Sequence, residues 1–247
     1  MKKSSYDEML PLSEHLRSLR KTILICLLVI ISGMIICYAF FRKTFMEIAL
    51  LPIIGKNVSI VYTSVAESFT TEMQVSLIAG IIVTSPIAAF FIWRFAAPAF
   101  FDYERKRIVL LFVVSMALFA AGVLFGYFVM LPYIINFLLS ASSINSTAMI
   151  TIGSYVSFVG KMMIPFGVVF ETPVIISLML SKEIVSVEQC AKARKYVFLA
   201  CFICGAILTP PDIVSQLSVA LPMYVMYESG LMVNKIRIKT AKSNEAK

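Results

Sequence analysis

A carboxylate inside an apolar run is the first residue in this chain that could do chemistry. Glu171 lies within Tyr155–Leu180, a stretch interrupted otherwise by Lys161, Pro165 and Pro173. At bilayer depth an ionised side chain costs about 2.5–3.5 kcal/mol on insertion scales and more in simulations, so it faces a cavity, a partner or a polar neighbour. Lys161 is ten residues away, about 15 Å along a helix axis and some 80° round, which makes direct pairing poor. Two readings follow for Glu171. Either it serves a function at that depth, or it is protonated or bonded to another helix while Lys161 snorkels to the interface. Pro165 and Pro173 each remove a helix hydrogen bond, which predicts a local bend or break around it.

A second group lies in Pro98-Ala99-Phe100-Phe101-Asp102-Tyr103-Glu104-Arg105-Lys106-Arg107. Its basic run is accounted for by membrane topology. Its two acids beside aromatic rings suit a cationic ligand, since a carboxylate accepts bidentate bonds from a guanidinium and rings stack on one. Glu228 is ambiguous, as an acid at the end of an apolar stretch that reaches the interface.

Other chemistries are set aside. Cys201-Phe202-Ile203-Cys204 has redox or metal-pair spacing but lies in an apolar run, where Cys behaves as a small hydrophobe. The 5 Cys give no disulfide framework, and His15 is the 1 histidine, so neither a metal site nor a cofactor is expected. There is no Gly-rich phosphate loop, no Ser/His/Asp set and no carboxylate dyad. Catalysis is not expected. Gly122 and Gly126 lie four apart on one helix face, a spacing that admits another backbone closely, for internal packing rather than a subunit contact.

The elements that must position these residues follow from composition. Of 247 residues, 60% are hydrophobic and 15% charged, with a mean hydropathy of +0.90. Soluble domains average about 45–50% apolar and 25% charged. A disordered chain is excluded on the same numbers. The net charge of +8 suggests nucleic acid only until the charges are placed. A bilayer core about 30 Å thick takes roughly 20 apolar residues. Six stretches qualify as spans: 22–41, 74–93, 108–131, 155–180, 196–208 and 213–227, the last two short. Pro132 and the polar cluster Ser140–Thr151 mark a turn and an exposed loop between the third and fourth. Eighteen of the 22 Lys and Arg fall in segments 1–21, 93–107, 181–195 and the tail 233–247, against three in the alternate loops. The rich side is therefore cytoplasmic, with both termini inside. A cleaved signal peptide is disfavoured by Asp7, Glu8 and Glu14 ahead of a long apolar run. The expected fold is an all-α integral membrane protein of six helices, in one domain.

With these residues in place, a resemblance is evident. His15-Leu16 with Leu19-Arg20, Ala97-Pro98-Ala99-Phe100 leading to Glu104-Arg105, Phe166-Gly167-Val168-Val169-Phe170-Glu171-Thr172-Pro173, Leu208-Thr209-Pro210-Pro211-Asp212 with Ser215-Gln216, and Pro222-Met223-Tyr224 with Glu228 occur in that order. The chain resembles the TatC family, the multi-spanning receptors of the twin-arginine protein translocase. The resemblance implies binding of paired-arginine signal peptides on the cytoplasmic face and recruitment of single-span TatA-like and TatB-like partners with the proton-motive force. It implies self-association and a bacterial cytoplasmic (inner) membrane, an organellar membrane being the alternative. Glu104 matches the loop carboxylate that contacts the arginine pair, and Phe95 and Pro98 match positions shaping that site. Glu171 matches the intramembrane acid associated with the pore-forming partner. Asp212 falls in the tight outer turn, with a structural role. Pro52 matches a proline of the first outer loop through a loose alignment. The fifth and sixth spans are the expected docking face for a TatB-like helix.

One departure stands out. The family motif His-Leu-x-Glu-Leu-Arg reads here His15-Leu16-Arg17-Ser18-Leu19-Arg20, so the second signal-binding carboxylate is replaced by Ser18 beside an added Arg17. That loss weakens guanidinium binding by about 1–3 kcal/mol in a partly buried site. Glu14 is one helical turn before Ser18, about 6 Å away on the same face. It either supplies the missing charge or favours the start of its helix behind Ser13 as a cap. The rival reading of the chain is a small-molecule secondary transporter using Glu171 and Lys161. Such proteins pair broken helices in two related halves, and no second half is visible here. A structural anchor, the third reading, has no need of Glu171.

Overall fold

The computed structural model describes residues 12–56, 58–96, 105–141, 148–181 and 184–245, with side chains inside 16–56, 58–95, 109–140, 148–181 and 184–236. The chain is mostly helical. α1 (Leu12–Ile36) passes through a π-helical turn, Cys37–Phe41, into α2 (Arg42–Leu50), which ends in a single 3-10 turn, Leu51–Ile53. Gly55, at φ 83°, turns the chain into strand β1 (Val58–Val61). α3 (Val65–Ala96) follows, then α4 (Arg105–Phe125), a second π-helical turn at Gly126–Met130 and α5 (Leu131–Ala141). Strand β2 (Ala148–Thr151) leads into α6 (Ile152–Phe170), and α7 (Thr172–Ser181), α8 (Val187–Leu208) and α9 (Ile213–Glu245) complete the chain.

Among the described residues, four helical segments are long and apolar enough to cross a membrane: Leu16–Ile53, Val65–Phe95, Val109–Ser140 and Ile152–Ser181. Their outward residues are apolar as well, as at Leu28 (65% exposed), Phe128 (66%) and Phe40 (78%). A soluble domain does not expose apolar side chains so generally. Helices satisfy their own backbone groups and can present such faces to lipid. The protein is a multi-pass membrane protein.

α1 packs on α3, α4 on α6, α7 and α8 on α9, and α3 bridges to α6. The crossings are close because small residues line them. A Cβ at Gly80 would lie 2.7 Å from the Met34 nitrogen, and one at Gly126 would lie 2.7 Å from the Met162 oxygen. The core gathers where α3, α4, α5 and α6 meet, around Leu131, Ile134, Val156, Met162 and Phe166, each fully buried. Here Gly122 and Gly126 serve packing within the chain, against the α6 backbone.

Several sequence expectations are corrected. The fold is not purely helical, because β1 and β2 pair in parallel, Val58 beside Ala148 through Val61 beside Thr151. β2 runs straight into α6 and β1 reaches α3 after three residues, so the pairing aligns α3 and α6 at one end, called here the sheet end. Pro132 does not stop its helix. It occupies the second position of α5, straight after a π-helical turn, where a missing N–H and a fixed φ are tolerated. The last two apolar stretches, expected to be short spans, form part of longer helices, α8 of 22 residues and α9 of 33. Charged residues extend both helices beyond their apolar parts, so the tail from residue 233 to Glu245 continues α9. Ser13 lies inside α1 behind Leu12, not ahead of the helix as a cap would.

Candidate functional site

Glu171 stands at the break between α6 and α7. Its N–H reaches the Val168 carbonyl (3.1 Å), and its carbonyl takes the Val174 and Ile175 N–H groups (3.0 Å each). Pro173 has no N–H to donate, and the helix restarts beside it as α7. The break thus has the expected cause. It turns the Glu171 side chain toward α4, where the Ser115 hydroxyl donates to Oε1 at 2.8 Å. Ser115 is 4% exposed, whereas Glu171 is half-buried, so one carboxylate oxygen is held from inside the bundle. The Gly122 and Gly126 crossings against Phe166 and Met162 set the spacing of α4 and α6 that this bond needs. On the far side Gly230 of α9 lies against Pro173, where an added Cβ would be 2.9 Å from the proline Cα. Lys161 is exposed on α6 and makes no ion pair with Glu171.

The other sequence-nominated residues are distributed about the two ends. Phe95 is half-buried at the end of α3. Phe112 of α4 stands edge-on to Trp93 (6.3 Å) and Phe90 (6.4 Å) of α3, fixing the two helices that carry the connecting loop. Pro98 and Glu104 fall in that loop, outside the described residues. Ser18 and Arg20 are exposed on α1, and Glu14 precedes Ser18 by one turn of the same helix. Pro52 sits in the 3-10 turn after α2. Asp212 caps α9: its carboxylate accepts the Ser215 N–H at 3.0 Å and its carbonyl the Gln216 N–H at 3.1 Å, as expected of an N-terminal cap.

Glu228 has a definite environment. Arg194 of α8 approaches it in a fork, Nε 2.7 Å from Oε1 and Nη2 donating to Oε2 at 2.9 Å. The Tyr224 hydroxyl donates to Oε1 at 2.8 Å, and Phe198 stands edge-on to the Tyr224 ring at 5.3 Å. Nearby, Asn234 is 3% exposed and bonds Ser177 (2.9 Å) and the Gly230 carbonyl (2.8 Å), tying α7 to α9.

Sequence reasoning missed three positioning residues. Ser115 was legible only as the lone hydroxyl in an aliphatic run. Arg194 was counted among the basic residues without a partner. Glu67 gave no signal at all. Its Oε2 accepts the Thr63 N–H (2.5 Å) and hydroxyl (2.7 Å), and its Oε1 accepts the Gly153 N–H in the first turn of α6 (3.0 Å). One carboxylate thereby satisfies free donors at the starts of two helices. Tyr127 and Tyr155 extend this fastening, donating to the Ile48 (2.6 Å) and Ala49 (2.9 Å) carbonyls of α2.

Known proteins share both sequence and shape. The family model for the Sec-independent protein translocase protein (TatC) matches residues 14–222. A Sec-independent protein translocase protein TatC of Carboxydothermus hydrogenoformans is 40% identical over 230 residues, 93% of this chain and 94% of that one. The TatC of Escherichia coli is 33% identical over 244 residues, 98% of this chain and 94% of that one. A crystal structure of the twin-arginine translocase receptor TatC superimposes with a TM-score of 0.82 at 32% identity, covering 90% of this chain and 98% of that chain. Agreement of sequence and structure over nearly the whole length leaves one assignment: this chain belongs to the TatC family.

Proposed function

We propose that this chain is the receptor subunit of a twin-arginine translocase, binding paired-arginine signal peptides and handing folded cargo to single-span partners. The observation that carries this reading is the match of both sequence and fold to the translocase receptor along almost the entire chain. The family is a translocase component, and no catalytic step is assigned to the chain. The finer reading has six spans in a single membrane domain, α8 and α9 supplying the last two, and the basic end of the bundle in the cytoplasm with both termini. The membrane is the bacterial inner membrane.

On that orientation the α3–α4 loop and the start of α1 lie on the same side. Glu104 receives one guanidinium of the signal, with Phe95 and Pro98 shaping the pocket beside Ser18 and Arg20. Ser18 cannot replace a carboxylate, so Glu14, one turn away, provides the second negative charge. Glu171 is the contact for a TatA-like helix. A carboxylate anchored on one oxygen by Ser115 offers the other to a polar group arriving from the lipid side, at a cost in desolvation only such a partner offsets. The α8–α9 face serves a TatB-like helix, and copies of the receptor associate. Movement of cargo draws on the proton-motive force.

The test is the affinity of the purified protein, in lipid, for one signal peptide with paired Arg and its paired-Lys twin. A tenfold or larger preference for Arg is expected, since Lys cannot make the forked bond. Equal binding of both peptides would remove the receptor reading for this site.

A further inference from the structure

Between α8 and α9, at the basic end, lies a cavity of about 440 Å³ lined by Arg194, Val225, Glu228, Ser229, Met232 and Lys235. Nη2 of Arg194 donates to Glu228 Oε2 at 2.9 Å and Nε lies 2.7 Å from Oε1 as an ion pair, so among the described residues Nη1 remains to donate to a ligand. Among the described residues Lys235 has no ion-pair partner, and it is exposed. Two cations therefore face one carboxylate across the cavity, leaving a net charge of +1.

The surroundings place this charge at a lipid interface. Val225 is 55% exposed and Met232 65% exposed, so the same face of α9 that carries Glu228 and Lys235 is greasy between them. Tyr224, bonded to Glu228, lies 6.4 Å from Tyr227, and two residues after Arg194 the Tyr196 ring has Lys195 5.0 Å over it. Amphipathic rings in that position mark the headgroup region of a bilayer. Apolar side chains on the rim, cations within and tyrosines around them match what an anionic phospholipid requires: phosphate for the cations, acyl chain for Val225 and Met232. Basic pockets between helices at a membrane surface take such headgroups.

We infer that the α8–α9 cavity binds the phosphate of an anionic phospholipid from the leaflet at the basic end, through Arg194 and Lys235. Glu228 has two effects there. It holds Arg194 in place, and its charge limits the site to one phosphate. The site does not depend on recognition of signal peptides, and its failure would leave that reading untouched.

The experiment is native mass spectrometry of the full chain in mild detergent, titrated with phosphatidylglycerol or phosphatidylcholine. Wild type is expected to retain phosphatidylglycerol at least fivefold better. Lys235→Gln, at an exposed position, is expected to reduce that preference about fivefold, the usual worth of one basic side chain at an anionic surface. Lys43→Gln, on α2 towards the sheet end, is the control and is expected to behave as wild type. Equal retention of the two lipids overturns the proposal, as does a Lys235→Gln protein with undiminished preference. Loss of the preference in millimolar inorganic phosphate would assign the site to free phosphate and likewise overturn it.

Discussion

Gly122→Ala tests whether helix spacing controls the intramembrane carboxylate. A Cβ at this position would overlap the Phe166 carbonyl oxygen and lie 2.9 Å from the Gly167 Cα, where ordinary contact begins near 3.4 Å. Both neighbours are backbone, so no side chain can swing aside. α4 and α6 must separate by at least the 0.5 Å difference between those two distances. Overpacking of this kind costs about 1–3 kcal/mol. Ser115 is two turns from Gly122 on α4, and Glu171 is one turn beyond Gly167. The same separation stretches the Ser115–Glu171 bond from 2.8 Å towards the limit of hydrogen bonding. A bond across helices in a membrane is worth about 0.6 kcal/mol on average. Thermal unfolding in detergent measures the first effect, and export of a folded twin-arginine cargo measures the second. Ser115→Ala alone is expected to lower export with little loss of stability. If Gly122→Ala acts through the same bond, adding it to Ser115→Ala lowers export by less than the product of the two single effects. Stability within about 0.5 kcal/mol of wild type would refute the packing argument. Fully multiplicative export defects would refute the link to Glu171.

Three further predictions address other links. Tyr155→Phe removes a buried hydroxyl bonded to the Ala49 carbonyl, and its expected cost of about 1–2 kcal/mol should appear as a lower melting temperature; an unchanged one would mean that α2 is fastened elsewhere. Glu67→Gln exchanges a charged acceptor for a neutral one at the starts of α3 and α6, so amide exchange at Thr63 and Gly153 should quicken while that of mid-α4 stays constant. Exchange at those two amides equal to wild type would show that the strand pair alone aligns the helices. Glu14→Gln should reduce crosslinking to a paired-arginine signal peptide, and undiminished crosslinking would leave Ser18 uncompensated.

Hydropathy and charge are sums over neighbouring residues, and what depends on such sums is legible in the sequence. Long apolar helices, the basic end and the break near Glu171 all follow from local composition and from Pro173, whereas Pro165, expected to share in the break, lies inside the unbroken α6. Gly122 and Gly126 announced a close crossing through their spacing alone. Contacts between distant segments have no such local signature. Ser115 and Glu171 are 56 residues apart, Arg194 and Glu228 are 34, and Glu67 meets Gly153 across 86. The strand pair is equally remote, since four-residue segments pair in parallel only when two long helices hold them side by side. Pro132 was read as a stop because proline removes a donor, yet the π-helical turn before it had already shifted the bonding register. Residue types alone determined that this protein lives in a membrane and where its costly charges lie. Only the tertiary structure decided what each charge touches, because a carboxylate's partner is chosen by helix packing and not by its neighbours in the chain.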